Sequence, residues 1–349
     1  KYMSNQPPIE VPQGAIRLNT DSQKLEFFAQ DRWYEMATDS PLLADGGDTG
    51  LGARGVFGTG TTPGTNDFIG FINIASTGNE QDFGDVVTQN QGASAGLSSR
   101  TRGIFAGGQA PSPQNANAIH FVTIAQKGNS TDFGDLTRGT RFGMGSSNQT
   151  RGIIAGGMDT PNDARVNTSE FVTIATTGNA LDFGDLTVAR AQAAGVSNGT
   201  RGIHSCGQSP TKVNTIDFFT IATLGNAQDF GDSITQTDSQ ASGCNAIRGI
   251  FAGGSPAGND DQQVIQFIIM ATLGNAQDFG DLSVQRTSAG GVSSPTRSVF
   301  AGGYGNPAGN HLTTIDYIHN MTGGNAIDFG DQSVNRDQMG SFSNAHGGL

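Results

Sequence analysis

The tetrad Asp-Phe-Gly-Asp occurs six times along the chain, and this repetition constrains the fold more than any other feature. Successive copies are separated by steps of 50, 50, 47, 49 and 50 residues. A fixed period near fifty is typical of an array of supersecondary units that stack on one another and share a continuous core. The copies stand at Asp82–Asp85, Asp132–Asp135, Asp182–Asp185, Asp229–Asp232, Asp278–Asp281 and Asp328–Asp331.

Each unit contains four short strand-like segments, which we name A to D in chain order. Segment B reads Arg-Gly-Ile-Phe-Ala-Gly-Gly at Arg102–Gly108 and again at Arg248–Gly254. An apolar run closed by two glycines predicts a buried strand that ends in a tight turn. Segment C, such as residues 170–175, leads through a Gly-Asn hairpin turn into segment D, which carries the tetrad. Segment A, such as residues 193–197, consists of small residues.

A four-stranded unit repeated around an axis predicts an all-β, six-bladed propeller over residues 51–349. The first unit starts at segment B, with Val56 and Phe57, and has no segment A before it. The last unit ends with an extra segment A at residues 340–344. We therefore expect residues 340–344 to pair beside residues 55–59 and close the first blade, which removes open sheet edges.

Residues 1–50 do not fit the repeat. Residues 14–28 read as strand, polar turn and strand, and a second turn leads into residues 32–36, so a small β-meander is predicted. Such a meander is too short to have its own core. We expect it to pack on the propeller, on a sister chain or on a larger partner. Residues 37–50 have the composition of a linker.

Composition argues against several classes of function. The formal net charge is −12 and only four lysines occur, whereas nucleic acid and anionic lipid require clustered cations. No apolar run approaches the roughly 20 residues of a membrane span, so we expect neither a nucleic-acid partner nor membrane insertion. The two cysteines, Cys206 and Cys244, are interpreted as small buried residues and not as a disulfide or metal site.

Asp-Phe-Gly is also a protein-kinase signature, but the rest of the kinase motif set is absent and the tetrad occurs six times. We predict a structural role instead. The aromatic rings of Phe133 and Phe183 would fill the space between blades. The acids would cap turns or meet the arginine that opens segment B, as Arg102 with Asp135 and Arg151 with Asp185, on the face away from the B–C loops. Two carboxylates per unit fall short of the roughly 6–8 oxygen ligands of calcium, so no metal or cofactor is expected.

An enzymatic function finds little support in the sequence. The five histidines fall at unrelated phases of the repeat, and no nucleophile elbow stands on a strand-to-helix turn. No catalytic residues are therefore assigned, and the protein is predicted not to be an enzyme.

The six copies differ most in their B–C loops, whereas the Gly-Asn turn hardly changes. Loops drift wherever packing allows, and this is one explanation. The other is that the B–C face carries recognition, as loop faces of rigid scaffolds often do. The candidate contacts are Tyr304, Asn306, Asn310, Asp260, Asp261 and Arg165.

The repeat resembles kelch repeats. The features that carry the resemblance are the double glycine after segment B, the aromatic on segment D and an arginine shortly before segment A, at Arg190, Arg286 and Arg336. The aromatic is Phe where kelch repeats usually have Trp. The kelch-like galactose oxidases need tyrosine and cysteine at a copper site, and sialidase propellers carry Asp-box turns with Trp. Neither pattern is present in this chain.

Two segments also resemble virion proteins of tailed bacteriophages. Residues 14–21, residues 25–28 and Trp33 resemble a segment of tail-fibre and other virion proteins. The Gly-Asn-x-x-Asp-Phe-Gly-Asp and Thr-Arg-Gly-Ile-Phe-Ala-Gly-Gly motifs resemble kelch-like repeats of virion structural proteins from marine phages, cyanophages included.

The resemblance implies a non-enzymatic virion protein on an extracellular particle, as a tail or fibre component that displays a propeller for host-surface recognition. Residues 1–50 would attach to other virion proteins, the protein would be a homo-oligomer, and its target would be a host cell-surface glycan or protein. Two alternatives stay open. One is a purely structural or decorating protein of the tail or capsid, and the other is a secreted cellular kelch-like lectin or hydrolase.

Overall fold

All regular secondary structure in the described residues is antiparallel β-sheet, and none of these residues belongs to a helix, membrane-spanning or otherwise. The prediction of an all-β fold is thus confirmed. The computed structural model describes residues 11–19, 24–30, 32–35, 54–62, 64–65, 67–87, 94–109, 117–160, 162–258, 261–305 and 309–349. The predicted linker at residues 37–50 lies outside them. The chain divides into two compact units, Lys1–Thr49 and Gly50–Leu349.

The first unit contains a three-stranded antiparallel meander with strands Ile16–Asn19, Lys24–Ala29 and Arg32–Glu35. Aromatic pairs join its second and third strands, with ring centroids 5.5 Å apart for Phe27 and Tyr34 and 5.2 Å apart for Phe28 and Trp33. Such cross-strand pairs each stabilise a sheet by about 0.2–1 kcal/mol. The two pairs lie at directly opposite positions of the second and third strands and help to fix their register.

The second unit contains six four-stranded sheets among its described residues, and each has the strand order A-B-C-D. In every sheet the Gly-Asn turn joins strands C and D. The bounds are Gly340–Ser343, Arg54–Gly58, Phe68–Asn73 and Gln81–Asp85 in sheet 1; Ala95–Ser98, Arg102–Ala106, Ala118–Thr123 and Thr131–Asp135 in sheet 2; Met144–Ser147, Arg151–Ala155, Thr168–Thr173 and Leu181–Asp185 in sheet 3; Ala194–Ser197, Arg201–Ser205, Thr215–Thr220 and Gln228–Asp232 in sheet 4; Ala241–Cys244, Arg248–Ala252, Val264–Ile269 and Gln277–Asp281 in sheet 5; and Gly290–Ser293, Arg297–Ala301, Thr314–His319 and Ile327–Asp331 in sheet 6.

Sheet 1 takes its strand A from the other end of the sequence. Gly340 lies opposite Gly58 and Ser343 lies opposite Gly55, so the pairing expected from the two unmatched segments is present. The buried Phe342 ring lies with its centroid 4.8 Å from that of Phe105 in sheet 2. This strand therefore also contributes to the packing between sheets 1 and 2.

The hydrophobic core lies between neighbouring sheets. The described residues form six clusters of buried apolar side chains, and each cluster combines residues from two sheets that follow one another, including sheets 6 and 1. Phe133 and Phe183 belong to the clusters between sheets 2 and 3 and between sheets 3 and 4. The tetrad phenylalanine thus lies between sheets.

Short strands extend the ends of the sheets where B meets C, which we call the B–C end. They pair the two arms of one B–C loop with each other, or pair a B–C loop with the D–A connection that precedes it. These strands are Thr61–Thr62, Gly64–Thr65, Gly139–Arg141, Met158–Thr160, Ala164–Arg165, Gln208–Ser209, Thr211–Lys212, Thr237–Asp238, Ser255–Pro256, Arg286–Thr287, Tyr304–Gly305 and Asn310–His311.

The Gly-Asn turn of each sheet docks on strand D of the preceding sheet. In the contact between sheets 2 and 3, the main-chain N–H of Asp135 donates to Asn179 Oδ1 over 3.0 Å, and Gly178 N donates to Phe133 O over 2.8 Å. This turn covers part of an edge that would otherwise be open. The bond from tetrad N–H to Asn recurs at Asp85–Asn129, Asp185–Asn226, Asp232–Asn275, Asp281–Asn325 and Asp331–Asn79.

Candidate functional site

A cavity of about 160 Å³ lies between the A strands of all six sheets, and we call it the central cavity. Its wall contains no Asp, Glu, Lys or Arg side chain among the described residues. The second residue of each A strand is Gly or Ser. At Gly145 and Gly195 any side chain is excluded, because a Cβ would overlap a carbonyl of the neighbouring A strand. The six residues at this position are Gly96, Gly145, Gly195, Ser242, Gly291 and Ser341.

A layer of serine hydroxyls crosses the end of the central cavity away from the B–C loops. Ser197 Oγ donates to Ser147 O over 2.7 Å, and Ser147 Oγ donates to Ser98 O over 3.0 Å. His346 lies against this layer, and its Nδ1 accepts from Gly348 N over 3.1 Å. Burial lowers the pKa of His346 to about 4, so the ring is neutral at pH 7 and suited to accept this bond. The segment around His346 therefore covers that end of the cavity.

A second cavity of about 110 Å³ adjoins the central one at the B–C end, and we call it the connection cavity. Its wall includes five residues that each stand two positions before an A strand: Phe142, Gln192, Ser239, Ser288 and Gln338. All five have a positive φ, between 53° and 58°. A non-glycine residue in this conformation costs roughly 1–2 kcal/mol.

Main-chain hydrogen bonds link these five residues into a chain from sheet to sheet. Gln192 N donates to Phe142 O over 3.2 Å, and Ser239 N donates to Gln192 O over 2.7 Å. Ser288 N in turn donates to Ser239 O, and Gln338 N donates to Ser288 O, over 2.7 and 2.8 Å. The corresponding position of sheet 2 falls at residues 91–93, outside the described residues. These bonds hold the backbone of the five residues that line the connection cavity.

The residues predicted on the B–C loops lie on several different sheets. Tyr304 and Asn310 share one hairpin of sheet 6, and both are exposed. Arg165 belongs to sheet 3 and donates to Gln208 Oε1 in sheet 4 over 2.6 Å. Asp261 is half-buried in sheet 5. Asn306 and Asp260 lie outside the described residues.

Bases on the B–C loops meet acids on the next D–A connection. His311 Nδ1 lies 3.4 Å from Asp337 Oδ1, and Lys212 Nζ lies 3.7 Å from Asp238 Oδ2. Burial raises the pKa of Asp337 to about 6, with the neighbouring His311 opposing part of the shift. Burial likewise raises the pKa of Asp238, against the effect of Lys212. These contacts tie the loops of sheets 4 and 6 to their neighbours.

The predicted pairs Arg102–Asp135 and Arg151–Asp185 do not form. Arg102 instead donates to Ile174 O of the next sheet over 2.8 Å, and Arg151 donates to Ile221 O over 2.7 Å. The reason is the antiparallel order, because Arg102 is level with Thr123 at one end of sheet 2 and Asp135 is level with Ala118 at the other. The second tetrad acid therefore lies at the B–C end, and its predicted place on the opposite face is wrong.

Three buried ion pairs use the arginine that precedes strand A. Arg190 lies 3.1 Å from Asp217, Arg286 lies 2.7 Å from Asp316, and Arg336 contacts Glu80. All six side chains are fully buried. Burial lowers the pKa of each arginine, and its acid opposes that shift. The sequence identified the arginines but not their partners.

Sheets 1 and 5 show how the buried charge is balanced. Sheet 1 has Gly70 at the strand C position of Asp217 and Asp316, and Glu80 fills the space that a side chain at Gly70 would need. Sheet 5 replaces both partners with neutral residues, Thr237 and Gln266. In sheets 1, 4, 5 and 6 the arginine and the acid are thus retained or lost together, which is the pattern of a structural pair. Sheet 3 keeps the acid, Glu170, but has Thr140 at the arginine position, and Arg138 lies 3.7 Å from Glu170 instead.

Among the described residues, no cluster of three or more His, Cys, Asp or Glu side chains is placed to hold a metal ion. Both cysteines are buried and free.

No protein-family model matches the sequence, and no curated protein matches it significantly.

Proposed function

We propose that residues 54–349 form a six-bladed, kelch-like β-propeller that serves as a non-enzymatic binding module. The observation that carries this proposal is the return of the contacts from sheet 6 to sheet 1. Asp331 N donates to Asn79 Oδ1, Arg297 donates to Ala75 O, and the apolar cluster with Phe57 and Phe329 spans the same pair of sheets. In a propeller each sheet is a blade, and every blade packs between two others.

The B–C end is the proposed binding face. It carries the loops that differ most among the repeats, and the connection cavity, lined by the D–A connections, lies at the same end. The opposite end repeats the same Gly-Asn turn in every sheet, and these turns are already used for contacts between sheets. Variable loops on a rigid frame are where recognition usually resides.

We further propose that the protein belongs to an extracellular virion of a tailed phage, as a tail or fibre component. The resemblance of residues 14–33 and of the repeat to virion proteins supports this setting. The three-stranded meander would attach the chain to other virion proteins or to sister chains, because its aromatic pairs form a sheet too small to be stable alone. The target of the B–C face would be a host cell-surface glycan or protein.

A decorating role on the tail or capsid is the second candidate. Lys212 Nζ donates to Ser255 O over 2.9 Å and to Pro256 O over 3.1 Å. Arg165 is engaged in the same way by Gln208. Loop side chains that hold neighbouring loops favour a structural use of the B–C end.

The test is binding of the fluorescent full chain, clustered on streptavidin, to a panel of marine cyanobacterial strains. Host recognition predicts binding to at least one strain, and the double change Tyr304→Ala and Asn310→Ala should weaken it. Thr177→Ala, in an exposed turn at the opposite end, is the matched control. If no strain binds the clustered protein, recognition is wrong. A chain without residues 1–50 that then fails to enter particles would support the decorating role.

A further inference from the structure

We propose that the connection cavity binds one unit of a neutral, multiply hydroxylated ligand, which is the chemistry of an uncharged sugar. This inference rests on the proposed function, since it names the ligand class and the place of contact on the B–C face. It places the contact at the cavity between the sheets and not at the loop tips.

The first argument is the conformation of the lining residues. Nine described residues other than glycine have a positive φ, and five of them are the five that line this cavity at one repeat position. The chain uses glycine at many other positive-φ positions, where it avoids the strain. Glycine would also supply the same main-chain hydrogen bonds. The side chains at these five positions are therefore expected to contribute something other than local stability, as strained residues at binding sites do.

The second argument is the chemistry of the wall. It combines the Phe142 ring, the amides of Gln192 and Gln338 and the hydroxyls of Ser239 and Ser288. Amides and hydroxyls both donate and accept hydrogen bonds, as sugar hydroxyls do. An aromatic ring offers an apolar surface for the C–H face of a sugar. The Gln192 amide has no hydrogen-bond partner among the described residues, whereas Gln338 Oε1 lies 3.4 Å from Thr61 Oγ1.

The third argument is the absence of charge. No Asp, Glu, Lys or Arg side chain lines the connection cavity in the part of the chain that the structure describes. A site for an acidic sugar or a phosphate normally includes arginine or lysine. The chain also carries a net charge of −12, which repels anions. A neutral ligand is therefore favoured over an anionic one.

The small size of the connection cavity limits the affinity of a single site for its ligand. About 110 Å³ is small beside the roughly 300–1,000 Å³ of ordinary ligand pockets, so one sugar unit enters and the rest of a glycan lies outside. Contacts with one unit give weak binding. Several copies of the chain on one particle would bind a cell surface more tightly through multivalency.

The experiment is saturation-transfer NMR on the full chain with four separate probes: galactose, N-acetylglucosamine, glucuronate and inorganic phosphate. We expect signal from a neutral sugar and none from glucuronate or phosphate. Phe142→Gly and Gln192→Gly should each reduce the neutral-sugar affinity at least about fivefold, as expected for one lost net hydrogen bond or contact. Both variants should remain folded, because glycine suits φ values of 57° and 58° and the relief of backbone strain offsets part of the cost of removing each side chain.

Three results would overturn the inference: no signal from either neutral sugar, signal from glucuronate or phosphate alone, or neutral-sugar binding that both glycine variants retain. Thr177→Ala is the matched control, since its side chain is exposed at the opposite end and absent from the cavity wall. If the glycine variants bind cells normally while Tyr304→Ala does not, the proposed function stands and the inference about the cavity fails.

Discussion

The main-chain N–H of Asp331 donates to Asn79 Oδ1 over 3.1 Å, although 252 positions separate the two residues in the chain. The bond is the sixth copy of a contact that also joins Asp135 to Asn179 between sheets 2 and 3. Five copies join sheets that follow one another in sequence, and this one joins the last sheet to the first. This contact between the last sheet and the first is the one that the proposed propeller requires.

Removing the asparagine amide tests this closure. Asn79→Ala and Asn179→Ala each lose one side-chain acceptor for a tetrad N–H, so each should lower the free energy of unfolding by about 0.5–1.5 kcal/mol. Urea denaturation of the two variants gives the comparison. The two variants should lose equal free energy of unfolding if the contact between sheets 6 and 1 is as strong as the contact between sheets 2 and 3. A loss at Asn179 with none at Asn79 would contradict it.

The tetrad glycine tests the close approach of neighbouring sheets. Gly134 has φ +148°, and a Cβ there would lie 2.5 Å from Gly178 O. Gly128 has φ +150° but nothing within 4 Å of its Cβ position. Gly134→Ala should therefore cost at least about 1–3 kcal/mol more than Gly128→Ala, through overpacking added to the shared backbone strain. Thermal unfolding measures both. Equal losses would show that only backbone conformation matters.

The buried pair of Arg286 and Asp316 can be compared with its neutral counterpart in sheet 5. Asp316→Gln leaves a buried guanidinium without its carboxylate and should cost about 3–5 kcal/mol. Adding Arg286→Thr reproduces the combination of Thr237 and Gln266, and should restore at least half of the lost stability. Chemical denaturation of the single and double variants decides the matter. A double variant less stable than the single one would show that the neutral pair of sheet 5 cannot replace the ion pair of sheet 6.

Asp337 predicts a pH dependence of stability. Its pKa is raised to about 6 in the folded chain from an ordinary value of 3.8. The protonated carboxyl of Asp337 therefore contributes its full stability to the folded chain below about pH 4, and this stability is lost as the pH rises through 6. Asp337→Asn removes the buried charge and should raise stability at pH 7 by about 1–2 kcal/mol, with no gain at pH 4. Urea unfolding across pH 4–7 measures the difference. A difference that stays constant over this range would count against the argument. Asp182→Asn, at an exposed position with no ion pair among the described residues, should follow the wild-type curve.

Much of the fold was predictable from the spacing of the tetrads. Strand order, the Gly-Asn turn and the pairing of Gly340 with Gly58 all follow from a repeat whose ends are incomplete. Repetition makes such predictions strong, because each segment is seen several times with different loops. The Asn partner of the tetrad N–H was missed, since a contact between units has no signature within one unit.

The candidate site was less accessible from sequence. Arg102 and Asp135 belong to the same repeat but lie at opposite ends of its sheet, and only the strand directions reveal this. The residues of the connection cavity carried one signal that was overlooked. The position two residues before strand A is never glycine in sheets 1, 3, 4, 5 and 6, in a chain with 52 glycines. Its positive φ cannot be read from sequence.

The most direct test of closure compares two shortened chains. One ends at residue 338 and lacks strand A of sheet 1, and the other ends at residue 344 and keeps it. The first loses the buried Phe342 and four residues of strand pairing, so its thermal midpoint should fall at least about 10 °C below that of the second. Equal midpoints for the two chains would contradict the closure of the six sheets.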